Sequence, residues 1–377
     1  MYMIDAPRVL ALVGDVSGCT LWRVWAPFAE LQRHGIFAHW KPRDDPENSD
    51  PRFIGNLPYN FDAVVLPRLF WARRQDAAQF CSAIHRSGMA IIVEVDDDVY
   101  SPAIVERAYA TQDTERDKGL ERLEEDRQAR IDVLGLCDGV TVSSRRLATI
   151  VGMFTDAPVE VVPNLVDTRW FHQVLHGCRR AIPSLTIGWA GGARYREDLE
   201  PVAEAWHNLA HRYPELTFVV QGYMAEVLID AVPPDRCRRL PWLPIHEYPR
   251  ALLNFDIGIA TVAPKLFNTA KTPIKVWEYA MAGVPSVASP TLYGQVVTDG
   301  EDGLLAETSA EWEAQLARLV DDCALRKRLW RQQRRRLAAE HSLANHWQKW
   351  PIAWTNILDH FLRAKQSRTL VPTTAAS

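Results

Sequence analysis

Phe267-Asn268-Thr269-Ala270-Lys271-Thr272-Pro273-Ile274-Lys275-Val276-Trp277-Glu278-Tyr279-Ala280-Met281-Ala282-Gly283-Val284-Pro285-Ser286-Val287-Ala288-Ser289 is a stretch that marks its own boundaries. Thr272 suits the cap of a helix, Pro273 its first turn, and Gly283 its end, with Pro285 placed to stop any continuation. The apolar run 284–288 then reads as a short buried strand. The spacing therefore predicts a helix over 273–282 that feeds a strand, half of a parallel βαβ step.

The same alternation extends upstream, with strands predicted at 185–190, 216–221 and 256–260 and helices at 198–213 and 246–254. A separate set comes before it: strands at 9–13, 36–40, 62–66, 90–95, 139–142 and 159–162, and a helix over 20–34 that Gly35 closes. Short β-rich runs between longer amphipathic stretches build parallel sheets covered by helices on both faces. The fold class is α/β, with two doubly wound, Rossmann-like sheets. Residues 1–170 form the first domain, 171–183 a polar, irregular linker and 184–343 the second domain. A last helix lies in 344–365 and a flexible tail in 366–377, with further helices at 309–322 and 325–340. The stretch 111–130, dense in both charges, reads as a solvated helix or an acceptor-side lid.

Composition narrows the function. The 377 residues hold 43 Lys and Arg against 47 Asp and Glu, a net charge of -4, so no whole-chain field draws the protein to DNA, RNA or acidic lipid. Hydrophobic residues at 47% and charged residues at 24% exclude a disordered or disulfide-built chain. The 6 cysteines stand singly, with no spacing for zinc or paired bridges, and no stretch approaches the roughly 20 apolar residues of a membrane span, so a cytoplasmic protein is expected. The 14 tryptophans read mainly as packing, with Trp22, Trp25 and Trp71 left as candidates for stacking on an acceptor.

Ligands of doubly wound sheets bind at the carboxyl ends of the strands. The helix start at Thr272 lies between Lys271 and Lys275 and offers free backbone N–H groups, a positive dipole end and two ammonium groups, a cradle for a diphosphate. Glu278 is a rare charge among Val276, Trp277 and Ala280, and its carboxylate can accept both hydroxyls of a ribose. Gly191 and Gly192, after the first strand of the second domain, let backbone approach phosphate, and Arg194 and Arg196 follow, either holding phosphate by a bidentate fork or lying on the surface. In the first domain, Gly14-Asp15-Val16-Ser17-Gly18 joins the first strand to the first helix, and Arg68, after Val64-Val65-Leu66-Pro67, is a residue to line the cleft or to tie its loop. Asp96, Asp97 and Asp98 crowd the end of a buried strand; they can take up an acceptor proton, bind acceptor hydroxyls, cap the next turn or, as D-x-D, hold a metal. The basic run Arg326, Lys327, Arg328, Arg331, Arg334, Arg335 and Arg336 reads as a solvated helix face or a contact for nucleic acid or anionic lipid.

The helix stretch resembles the carboxyl-terminal motif of retaining glycosyltransferases of family four, which have the GT-B fold. The resemblance continues through Val296-Val297-Thr298-Asp299-Gly300-Glu301-Asp302-Gly303-Leu304-Leu305 and, upstream, through Val142-Ser143-Ser144, Val162-Pro163-Asn164-Leu165-Val166-Asp167 and Ile187-Gly188-Trp189-Ala190-Gly191-Gly192. It implies two domains facing a cleft, with the last helix crossing back to the first domain. It also implies metal-independent transfer, without a resident cofactor, of a sugar from a UDP- or GDP-linked donor on the second domain. The acceptor would be a carbohydrate, a lipid-linked or small molecule, or a base in nucleic acid. Of a pair of donor-site glutamates in that family, the second matches Glu278 and the first falls on Ala270, leaving Asn268, Thr269, Lys271 or backbone N–H groups to orient the sugar. Asp96 takes the place where many relatives carry a histidine beside the reacting sugar. Lys271, Lys275 and Asp96 are thus the catalytic candidates. The alternatives are a sugar-nucleotide isomerase of the same architecture and a binding protein that has lost catalysis.

Overall fold

The computed structural model describes residues 6–14, 17–42, 60–67, 74–102, 116–176, 184–192, 196–223 and 225–369. They fall into two compact units, one of Met1–Leu165, Ala270–Thr272 and His346–Ser377, the other of Val166–Thr269 and Pro273–Asn345. No helix among the described residues is long and apolar enough to cross a membrane.

Unit 1 is a six-stranded parallel sheet of β1 (Val9–Val13), β2 (Ala38–Pro42), β3 (Ala63–Pro67), β4 (Ala90–Val95), β5 (Gly139–Val142) and β6 (Val159–Val161), in the order β2-β1-β3-β4-β5-β6. The near-continuous apolar strands follow from burial on both faces. Val9, Ala11, Val13, Val65 and Ile92 point to one side, against Phe28 and against Trp350, Ala353, Trp354 and Ile357 of the last helix, Lys349–Thr369. Leu10, Leu12, Val64, Leu66 and Ile91 point to the other, against Phe80 and Ile84 of the helix Arg74–Arg86. The last helix is therefore part of the core of unit 1, and trimming its apolar face costs several kcal/mol, at about 1.5–3 kcal/mol for each large side chain. The helix expected over 20–34 is interrupted by a π-helical turn at Leu21–Trp25.

Unit 2 is a second six-stranded parallel sheet of β7 (Thr186–Gly192), β8 (Thr217–Tyr223), β9 (Cys237–Leu240), β10 (Ile257–Ala260), β11 (Ser286–Ala288) and β12 (Leu304–Leu305), in the order β12-β11-β10-β7-β8-β9. The central β7 is flanked by β10 and β8, so strand order reverses there, which is where doubly wound sheets bind ligands. Ile187, Trp189, Phe218, Val220, Ile257 and Ile259 fill one face, against Trp206 and Trp312. On the opposite face the helix Ile274–Ala282 comes so close that a Cβ at Gly258 would meet the Tyr279 ring at 2.8 Å.

Three expectations change. The edge strands β9 and β12 were not read from the sequence. The start of the irregular linker expected at 171–183 is a helix, Thr168–Leu175, because Asp167 accepts from the backbone N–H groups of Arg169 and Trp170 at 3.0 and 3.1 Å and Phe171 is buried; residues 177–183 lie outside the described residues. Thr272 does not cap the helix Ile274–Ala282, whose cap position is Pro273.

Candidate functional site

On unit 2 the buried carboxylate of Glu278, 4% exposed, projects from the helix Ile274–Ala282. Lys275 Nζ, one turn earlier, donates to Glu278 Oε2 at 3.0 Å, and the hydroxyl of Tyr248, from the helix Tyr248–Ala251, donates to the same oxygen at 2.8 Å. Lys275 Nζ also donates to the Tyr248 oxygen at 2.7 Å, closing a triangle. Burial, and then the Glu278 charge, push the Tyr248 phenol well above its usual range, so it stays a donor. Both hydrogen bonds to Glu278 fall on Oε2, which leaves Oε1 able to accept from a ligand. Lys275 is thus an anchor for Glu278 as well as a cation near the helix start.

Asn268 is fully buried. Its amide donates to Asp198 Oδ1 at 3.1 Å and to the Ala263 carbonyl at 2.8 Å, and the Ala263 N–H donates to the same carboxylate oxygen at 2.7 Å. Asp198 and Asn268 therefore shape the loop that leaves the carboxyl end of β10, and Asn268 has no surface left for a sugar. Gly191 and Gly192 are the last two residues of β7, which runs two residues past the strand expected at 185–190. Arg194 lies outside the described residues, and Arg196, 74% exposed in its side chain, pairs with Glu200 at 2.8 Å on the surface.

On unit 1, Asp98 is 1% exposed and caps the turn after β4: Oδ1 accepts from the Ser101 and Tyr100 N–H groups at 2.9 and 3.2 Å, and Oδ2 from the Ser101 hydroxyl. Both its oxygens are used locally, which is the capping role among those open to it. Asp97 Oδ1 accepts from the Asp98 N–H at 3.0 Å, and Asp96 and Asp97 are half-buried. Ser17 Oγ accepts weakly from the Thr20 N–H at 3.5 Å as the cap of a short turn at Gly18–Thr20, and Gly14 follows the end of β1. Arg68 and Trp71 lie outside the described residues.

Ala270, Lys271 and Thr272 belong to unit 1. Ala270 is fully buried in a cluster with Val95, Val142 and Tyr100, and its carbonyl accepts from Ser144 Oγ at 3.1 Å. Where the resemblance expects a glutamate, a methyl group packs in an apolar core. The Thr272 hydroxyl accepts from Asn164 Nδ2 at 2.8 Å, which is the partner it takes in place of the helix end; Lys271 is half-buried. Asn164 in turn holds Arg23, an ion-pair partner of Glu94 that the sequence did not single out.

The basic helix is Cys323–Arg336. Arg326 donates to the Leu319 and Val320 carbonyls, Arg328 to the Gly300 carbonyl and Arg336 to Asp302, so part of its charge is structural. Trp22 is buried and Trp25 packs on Trp40 with ring centroids 5.7 Å apart. Among the described residues the exposed Trp rings are instead Trp40 and Trp242.

Two doubly wound parallel sheets in one chain, the second with a buried carboxylate at the carboxyl end of its strands, define the GT-B architecture. Residues 196–351 match the family described as "Glycosyl transferase-like". Solved structures with this fold include Anabaena HepE in complex with UDP-glucose, 12% identical over 93% of this chain and 100% of that one with a TM-score of 0.63. The sucrose-phosphate synthase of Thermosynechococcus elongatus is 14% identical over 93% and 99%, with a TM-score of 0.62. The pneumococcal O-GlcNAc transferase GtfA, in complex with UDP and GlcNAc, is 14% identical over 82% and 59%, with a TM-score of 0.53. No curated protein matches the chain by sequence.

Proposed function

We propose that the chain is a cytoplasmic glycosyltransferase that moves a sugar from a UDP-linked donor to an acceptor hydroxyl, with retention of anomeric configuration and without a metal ion. The observation that carries the reading is Glu278, a buried carboxylate held on one oxygen by Lys275 and Tyr248 and open on the other. In this reading Glu278 Oε1 accepts the ribose hydroxyls. Lys275 and the backbone N–H groups at the start of the helix Ile274–Ala282 stabilise the charge that develops on the leaving diphosphate. The anomeric carbon's bond to the β-phosphate oxygen breaks and its bond to the acceptor oxygen forms on the same face, releasing UDP and a proton. Asp96, at the end of β4, is assigned to the reacting sugar and acceptor, and Lys271, just before the helix start, to the leaving diphosphate or the orientation of the sugar.

The family match over 196–351 and the fold shared with a protein solved with UDP-glucose and one solved with UDP and GlcNAc support the choice of donor. Ala270, with a methyl in place of the first glutamate, favours a second reading, a sugar-nucleotide-binding protein without turnover. Incubation with UDP-glucose or UDP-N-acetylglucosamine and a panel of sugar, lipid-linked and small-molecule acceptors separates the two. UDP release with a product of unchanged anomeric configuration by proton NMR is expected. Tight UDP binding without transfer or hydrolysis establishes the second reading, and an inverted product removes retention.

A further inference from the structure

Exposed aromatic surface on unit 2 gathers at one corner of its sheet. Tyr223, the last residue of β8, is 51% exposed, and Trp242, just past β9, is 59% exposed. Their ring centroids lie 4.9 Å apart at 56°, two faces of an open corner. The segment carrying Trp242 is tied down by Gln221, whose Nε2 donates to the Pro241 carbonyl at 3.1 Å; its Oε1 is buried and accepts from no described residue.

The strand register shows which side of the sheet this corner serves. Pairing of β7 with β8 sets Gly188 beside Val219, Ala190 beside Gln221 and Gly192 beside Tyr223. Side chains alternate along a strand, so these positions share the face opposite the core of Ile187, Trp189, Phe218 and Val220. That is the face covered by the helix of Lys275 and Glu278, since Gly188 and Gly258 lie beneath Phe255 and Tyr279. Beside the aromatic pair the backbone is bare. A Cβ at Gly192 would meet the Tyr223 ring at 2.7 Å, and Gly222, at φ +125°, has the Gly191 carbonyl where its own Cβ would stand, at 1.8 Å.

We propose that Tyr223 and Trp242 form a stacking platform for the nucleobase of the donor, an inference that rests on the donor reading above. In a doubly wound sheet the diphosphate lies at the glycine turn after the first strand, here β7, and the nucleoside extends toward the second, here β8. The glycines let the Tyr223 ring and the Gly191 backbone pack closely at the carboxyl ends of β7 and β8, and the exposed aromatic corner offers a π-face to a planar ring. The buried Gln221 acceptor, on the same face and next to this corner, is one that an N–H of a pyrimidine dione can satisfy. The sugar, attached beyond the diphosphate, extends the other way, so the platform recognises the base and not the transferred group.

Titration calorimetry with UDP and with inorganic pyrophosphate, which has no base, tests this on the full chain. In Tyr223→Ala and Trp242→Ala, UDP affinity should fall by about five- to hundred-fold, the range that loss of one base-aromatic stack produces. Pyrophosphate affinity and the melting temperature should be unchanged, and Trp242→Phe should retain most of the UDP affinity. Equal UDP affinity in wild type and both alanine variants overturns the platform and leaves the donor reading standing. Pyrophosphate weakened as much as UDP means a distorted loop and overturns it, as does a loss confined to UDP-glucose with UDP unaffected, which assigns the corner to the sugar. Absence of UDP binding by the wild type defeats the donor reading and the platform together.

Discussion

Arg23–Glu94 in unit 1 and Lys275–Glu278 in unit 2 are each a cation-carboxylate pair tied to a hydroxyl, and the two pairs are finished differently. In unit 1, Arg23 Nε donates to Glu94 Oε1 at 2.6 Å, Thr141 donates to Glu94 Oε2, and both charged side chains are 3% exposed. Arg23 Nη1 donates further to the Val162 carbonyl at 2.5 Å and Asn164 Oδ1 at 2.9 Å, and its guanidinium lies 4.6 Å from the centre of the Trp350 ring. Both carboxylate oxygens are used, and the pair joins the first helix, β4, the segment after β6 and the last helix into one block. In unit 2, Lys275 is 22% exposed and Glu278 5% in their side chains, and among the described residues only Oε2 is engaged. A closed pair holds a fold together. One left open on one oxygen has capacity for a ligand, and that distinction separates structural from functional burial of charge here.

The largest expected effect lies in the closed pair. Arg23→Met leaves Glu94 buried without its cation and should cost about 3–5 kcal/mol, seen as an early melting transition of unit 1; a loss under 1 kcal/mol would mean the pair is solvated and the comparison breaks. Glu94 also carries a pH signature. Burial raises its pKa from 4.5 to about 7, against the opposing pull of Arg23. The folded state then keeps a proton that the unfolded chain releases, so this contribution is full below pH 4.5 and is lost as the pH rises to about 7. The wild type should therefore lose stability relative to Glu94→Gln across that window, by thermal melts at stepped pH, and a gap independent of pH contradicts the assignment.

The open pair predicts a smaller effect, without unfolding. Tyr248→Phe removes one donor to Glu278 Oε2 and should weaken UDP binding by about 0.5–1.5 kcal/mol, a few-fold to roughly ten-fold change by calorimetry. An unchanged affinity would show that Lys275 alone holds the carboxylate.

The architecture was legible because buried parallel strands are apolar runs between amphipathic helices, and β1, β4 and β5 fall where the sequence places them. The edge strands were not: β9 is Cys-Arg-Arg-Leu with both arginines exposed, and β12 has two residues, so neither carries an apolar run. Glu278 was legible as a charge inside an apolar helix. Its partner Tyr248 was not, since 30 residues separate them and only tertiary packing brings the phenol to the carboxylate. The same holds for Asp198 and Asn268, 70 residues apart, and for Glu94 and Arg23, 71 apart. Thr272 had the residue type and position of a helix cap, but its hydroxyl is taken by Asn164, a competing partner that no local pattern reveals.

The most direct test of the donor site is titration of UDP into the wild type and Glu278→Ala, with the melting temperature of each recorded. Losing charged hydrogen bonds worth about 1.5–3 kcal/mol should weaken UDP by roughly ten- to hundred-fold, with the fold intact. Equal UDP affinity in the two proteins would contradict the assignment of Glu278 to the donor.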